Sequence, residues 1–326
     1  MEKVSCLCKK IIMNKPRIIF AGTAEFACPT LLALHEIADV ILVLTQPQQP
    51  AGRGLSLKSS AVDLLAQKLK LPILRPETLK KSLFGSVIEK YPCDFLVVAA
   101  YGKIIPQWFL DWPKKAPLNV HGSILPRWRG AAPIQHALLN NDAVSGATII
   151  QMTAGLDEGP IFALEECLIL PDDDQHSLAQ KVATIGASLL IKTVLNFNTS
   201  PTPQVGESCY APKVAKTDGF VNWNAKASYI YCQYRAFKGW PGLYSFSSKG
   251  LRVKINTLQP TDVINDRLKP GETWVQDSKL FVKTSDGCLQ LLDIQFEGKP
   301  PLNIHQALLD KNHWLYHQKL EFNCEF

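Results

Sequence analysis

The densest run of chemically capable residues is Asn119-Val120-His121-Gly122-Ser123-Ile124-Leu125-Pro126-Arg127-Trp128-Arg129-Gly130-Ala131-Ala132-Pro133. In an extended segment side chains alternate between faces, so Asn119 and His121 point the same way. An amide donor and a titratable imidazole in one pocket suit acyl transfer, in which an oxyanion develops and a proton moves. Gly122 permits close approach, and Pro126 and Pro133 bracket a loop that must hold one shape. A lone histidine is more often structural or exposed than catalytic. A solvated loop with Trp128 tucked into the core also accounts for the segment.

Three further segments could contribute. Gly155-Leu156-Asp157-Glu158-Gly159-Pro160 puts a carboxylate in a glycine-bounded turn. Such a residue is commonly a turn former; if it reaches His121, it could orient the ring and hold it protonated. Residues 45–60 carry Pro47, Pro50, Gly52, Arg53, Gly54 and Lys58, with no carboxylate between Asp39 and Asp63. That is too long for a tight turn, and composition leaves it open between a functional loop and a mobile connection. The acidic triplet 172–174 precedes a helical stretch, where carboxylates cap free N–H groups, so capping is a better reading than metal binding. The first strand-to-helix junction, 20–26, has one glycine where a dinucleotide fingerprint needs three, which disfavours a nicotinamide cofactor.

Short apolar runs at 17–21, 40–45, 94–100, 118–121 and 148–152 must position these residues. They lack the alternation of a one-sided sheet and suit strands covered on both faces. Helical spacing recurs at 29–37, 60–69, 79–90, 133–140 and 177–197. The pattern predicts an α/β, Rossmann-like domain with a mainly parallel sheet and helices on both faces. The loop after 118–121 then lies at the carboxyl end of the sheet, where open α/β folds place ligands. From 198 to 204 the composition turns to Asn, Thr, Ser and Pro. Beyond it, β-like runs at 242–247, 251–257, 272–276, 280–283 and 288–295 predict a small antiparallel, OB-like barrel. The expected division is a leader at 1–14, a catalytic domain at 15–197, a linker at 198–212 and a second domain at 213–326.

The chain has 326 residues, 46% hydrophobic and 20% charged, with a formal net charge of +6. This excludes a largely disordered chain, and the mild basicity is compatible with a polyanionic partner without establishing one. The nine cysteines are scattered and odd in number, which predicts reduced thiols in a cytosolic protein. No apolar run approaches the ~20 residues of a membrane helix. The first twelve residues are too short and charged for a signal peptide, and Met13 is the expected start of translation.

The run 119–135 (NVHGSILPRWRGAAPIQ) resembles the signature of the folate-dependent formyltransferases, in the branch that formylates methionyl initiator tRNA. RIIFAGTAEFA, TQPQQPAGRG, VVAAYGKIIP, GLDEGP, YAPKVAK and RAFKGWPG are similar to that branch too, in order. The resemblance implies 10-formyltetrahydrofolate as formyl donor, methionyl initiator tRNA as acceptor, no metal and no membrane; we expect a cytoplasmic monomer. It implies Asn119, His121 and Asp157 as catalytic. It implies Ser123, Ile124, Leu125 and Pro126 as folate contacts, beside Ala99, Ala100, Tyr101 and Gly102. It implies Arg53, Lys58 and Lys213 as tRNA contacts. Gln48, Gln49 and the 55–57 Leu-Ser-Leu make the loop less basic than is usual there, which should weaken phosphate contacts. The rivals are a formyltransferase acting on a small amine, such as glycinamide ribonucleotide or an amino sugar nucleotide, and a non-catalytic RNA-binding protein. The second domain and the PAGRG loop argue against the first, and the presence of all three catalytic candidates against the second.

Overall fold

The computed structural model describes residues 15–51, 56–198, 200–316 and 320–323. The chain forms two compact units: Met1–Pro133, Val144–Leu168 and Ala179–Ala211, and then Ile134–Ala143, Ile169–Leu178 and Pro212–Phe326.

Strand β1 (Arg17–Gly22) leads into helix α1 (Cys28–Ile37) and β2 (Asp39–Leu44). A short antiparallel pair follows, β3 (Gln49–Ala51) with β4 (Ser56–Lys58). Helix α2 (Ala61–Lys68) starts where the Ser60 hydroxyl accepts the Asp63 N–H at 3.0 Å, a side-chain N-cap. Then come β5 (Ile73–Leu74), α3 (Lys81–Ile88), β6 (Phe95–Ala99), α4 (Gln107–Leu110) and β7 (Ala116–His121). The chain continues through β8 (Arg129–Gly130), α5 (Pro133–Leu139), β9 (Val144–Gln151), β10 (Ile161–Leu168), α6 (Gln175–Leu195) and β11 (Tyr210–Ala211).

Seven strands make one sheet in the order β10-β9-β7-β6-β1-β2-β5. The five from β7 to β5 are parallel, and β9 and β10 add an antiparallel edge. The period-2 alternation sends Phe20, Val97, Leu118 and Val120 to one face, against Leu31 and Leu34 of α1 and Leu190 of α6. Ile19, Ala21, Leu96 and Val98 go to the other, against Phe84 and Ile88 of α3 and Phe109 of α4. Every residue of β6 is buried, as expected for a strand covered on both sides. Sequence pattern missed β10, an edge strand whose residues are mostly part-buried or exposed and carry no clean alternation.

The acidic triplet caps α6. The Asp174 carboxylate accepts the N–H groups of His176 and Ser177 at 2.8 and 3.0 Å, and Asp173 accepts the Leu170 N–H at 2.7 Å. By length and composition α6, at 21 residues, could cross a membrane, contrary to the reading that no such stretch exists. Its Leu189, Leu190 and Val194 are core residues of the parallel-sheet unit.

In the other unit, helix α7 (Ala227–Phe237) precedes an antiparallel sheet. Its strands are β12 (Leu243–Phe246), β13 (Arg252–Pro260), β14 (Thr273–Gln276), β15 (Lys279–Lys283) and β16 (Cys288–Phe296), ordered β12-β13-β16-β15-β14. A sixth, β17 (Leu302–Asn303), pairs with β16 and leads into α8 (Ile304–Ala307). Glu321 bridges to Glu272 and Phe322 to Ser247, so one short segment meets the chain beside both outer strands. Trp223, fully buried, stacks on Phe322 at 5.2 Å and donates its indole N–H to Ser245. Helix α7 was not anticipated. Its aromatics favour strands, and the decisive signal is the helical spacing of its buried Ile230, Gln233 and Phe237.

Candidate active site

Asn119 and His121 project from β7 onto the sheet face opposite Leu118 and Val120. Asn119 is half-buried and His121 is buried. The turn after β9 returns Asp157 to them. Asp157 Oδ1 accepts the Asn119 side-chain N–H at 3.3 Å, and Oδ2 lies 3.6 Å from His121 Nδ1. Oδ2 also accepts the Gly130 N–H at 2.9 Å. Asp157 holds a left-handed φ of 51°, a conformation that persists only where surrounding contacts fix it. Gly130 holds φ 112°, and a Cβ there would come within 2.7 Å of the Ala211 carbonyl, so no side chain fits where this N–H is presented.

His121 Nε2 lies 2.9 Å from the Trp128 carbonyl. A carbonyl only accepts, so Nε2 carries the proton and Nδ1 is left with the lone pair in the neutral ring. Nδ1 is therefore the nitrogen that can take or give a proton. The Asp157 carboxylate beside it offsets the positive charge the ring acquires on protonation. Asn119 has a second amide N–H with no partner among the described residues, which makes it a donor for a developing negative oxygen.

The loop after β7 is braced from several sides. Trp128, at φ 62°, donates its N–H to Cys209 Sγ, and the Arg127 guanidinium lies 4.3 Å from the Trp128 ring. Ser123 donates to the Arg127 carbonyl, while Thr148 donates to the Ser123 carbonyl and accepts the Leu125 N–H. Ser123 and Leu125 are thus buried and anchored, and Ile124 and Pro126 keep part of their surface exposed. At the end of β6, Ala99 and Tyr101 are buried and Ala100 and Gly102 are exposed. The Ala100 carbonyl accepts the N–H groups of Thr23 and Ala24, and the Tyr101 carbonyl accepts from Thr23 Oγ1 and Gln46. The Tyr101 hydroxyl is buried without a partner among the described residues, and burial pushes it up to about 12.

Lys58 and Lys213 are exposed. Arg53 lies outside the described residues. Sequence reading missed Gln204, which donates to the Asp157 and Gly159 carbonyls, and the Trp128 carbonyl itself. A backbone carbonyl leaves no trace in residue type, and Gln204 sits in a stretch whose composition reads as a connection. Among the described residues no cluster of metal-ligating side chains occurs.

Residues 16–194 match the formyl transferase family model, and 213–312 match the formyl transferase C-terminal domain. The chain is 40% identical to the methionyl-tRNA formyltransferase of Thermodesulfovibrio yellowstonii, over 86% of this chain and 92% of that one. The chain belongs to the methionyl-tRNA formyltransferase family. The Thermus thermophilus member is 38% identical over 87% of this chain and 92% of its own. At the level of fold, an N-formyltransferase from Helicobacter canadensis, solved with folinic acid and dTDP-3-aminofucose, superimposes with a TM-score of 0.62. It is 18% identical, covering 86% of this chain and 99% of that one. HypX from Aquifex aeolicus, solved with tetrahydrofolic acid, gives 0.60 at 16% identity, over 90% of this chain and 47% of its own.

Proposed function

We propose that this chain transfers the formyl group of 10-formyltetrahydrofolate to the α-amino group of methionyl initiator tRNA, with Asn119, His121 and Asp157 at the reacting atoms. One observation carries the reading: three polar side chains from β7 and the turn after β9 converge in a chain of this family. When bound, the folate supplies an activated formyl carbon. The free Asn119 N–H donates to the formyl oxygen as negative charge develops there. His121, fixed through Nε2, uses Nδ1 to take the proton released by the attacking amine and pass it to the folate N10 as the formyl C–N10 bond breaks, and Asp157 balances the ring's charge.

The donor set fits a folate. Ile124 and Pro126 offer apolar surface from an otherwise anchored loop. With Ser123 and Leu125 shaping that loop, and Ala99, Ala100, Tyr101 and Gly102 at the end of β6, they form the proposed folate wall. Arg53, Lys58 and Lys213 are the proposed tRNA contacts. We read 15–197 as the catalytic domain, 198–212 as its connection and 213–326 as the tRNA-binding domain. The enzyme then works in the cytoplasm, at translation initiation.

A formylation assay with 10-formyltetrahydrofolate tests this, comparing methionyl initiator tRNA, methionyl elongator tRNA and glycinamide ribonucleotide as acceptors. Transfer to the initiator alone is expected; transfer only to the ribonucleotide would overturn the acceptor and keep the chemistry. Arg53→Leu is expected to impair tRNA turnover while leaving folate affinity unchanged, and equal loss of both would remove Arg53 from the acceptor side.

A further inference from the structure

The side chain of Gln204 uses its whole hydrogen-bonding capacity. Nε2 donates to the backbone carbonyls of Asp157 and Gly159, both at 2.8 Å. Oε1 accepts from two nitrogens of the Arg129 guanidinium, at 3.1 and 2.7 Å. A primary amide has two N–H donors and two acceptor lone pairs, and all are matched here. The partners also fix its orientation. Turning the amide over would set N–H against guanidinium N–H and oxygen against two carbonyls.

The groups it ties together flank the reacting face. On one side is the turn that presents the Asp157 carboxylate. On the other is Arg129, between Trp128, whose carbonyl fixes His121, and Gly130, whose N–H holds Asp157 Oδ2. The backbone around Gln204 is pinned to the same unit. Thr202 and Ile161 exchange hydrogen bonds of 2.7 and 2.9 Å, and the Arg129 N–H donates to the Cys209 carbonyl at 2.9 Å. Gln204 itself lies between the regions that match the two family models, 16–194 and 213–312.

We propose that Gln204 is a positioning residue for the formyl transfer. Through the Asp157 and Gly159 carbonyls it holds the turn so that one carboxylate meets both Asn119 and His121, and Arg129 orients its amide. Asp157 sits at a left-handed φ, and without these ties its turn loses two of the bonds that hold it in place beside β7. The inference rests on the reading that Asp157 acts at the reacting atoms.

The test is steady-state formylation of methionyl initiator tRNA by the full chain carrying Gln204→Glu, Asp157→Asn, or both. Glutamate keeps the length and the bonds to Arg129 and loses both donors to the turn. Gln204→Glu is expected to lower kcat by about 10- to 100-fold, with KM for both substrates within about twofold of wild type. In the Asp157→Asn background the same change should lower kcat by less than about twofold, because the residue it positions is already gone. Should Gln204→Glu melt below the assay temperature, Gln204→Leu carries the same cycle. Undiminished kcat beside an impaired Asp157→Asn overturns the positioning role alone. So does an equal loss in both backgrounds, or a rise in KM without a fall in kcat. Wild-type turnover by Asp157→Asn overturns the catalytic reading itself, and this inference with it.

Discussion

Two aspartates in the same unit show what separates a structural carboxylate from a candidate catalytic one. Asp63, in the first turn of α2, is fully buried. Its oxygens accept from Gln67 at 3.0 Å and from two Arg75 nitrogens at 2.6 and 3.0 Å. Burial works to raise its carboxyl, and the bonds from Arg75, Gln67 and Ser59 outweigh it, holding the group below the usual carboxylate range. Every partner is a donor already in place, and nothing remains for a ligand. Asp157 is also well enclosed, yet its neighbours keep capacity in reserve. His121 Nδ1 stands 3.6 Å away, beyond a good hydrogen bond, and Asn119 retains an N–H with no partner among the described residues. A closed set of partners stabilises the fold, whereas an open set can receive a reacting group.

That contrast can be broken at either end. The largest effect should come from His121→Ala, with kcat falling by about 10²- to 10⁴-fold and thermal unfolding little changed. A variant that unfolds early and, at low temperature, turns over normally would place His121 with the structural set. Next in size is Arg75→Met, which strands a buried carboxylate with only neutral partners. Denaturant unfolding should show a loss of about 3–5 kcal/mol, with kcat in the cold unchanged. A fall in kcat at full stability would erase the distinction.

The smallest effect concerns pH. The folded-state carboxyl of Asp63 lies below its unfolded value, so the stability it contributes is complete above about pH 4. It is lost as pH falls through the lower, folded value. Acid unfolding of wild type should show this loss, and Arg75→Met should flatten it. An unchanged acid limb in that variant would mean that other carboxylates set the response.

The parallel unit was legible because its strands are short, aliphatic and buried on both faces, and its helices carry a 3.6-residue repeat. The alternation of β7 alone placed Asn119 and His121 on one side. The acidic triplet was legible as a cap, since capping is local in the chain. The edge strand β10 and helix α7 were not legible. The first lacks a buried face, and the aromatics of the second favour a strand.

The sequence by itself determined the α/β character of the first region, the antiparallel strands of the second and the family. These follow from residue type, short-range periodicity and long motifs. Only the tertiary structure decided which groups meet. It brought Asp157 to Asn119 across 38 residues of chain, aimed the Trp128 carbonyl at His121, and laid Gln204 across the turn from 47 residues away. Such contacts depend on how loops return over a folded sheet, and two of these three are made to backbone carbonyls, which every residue possesses.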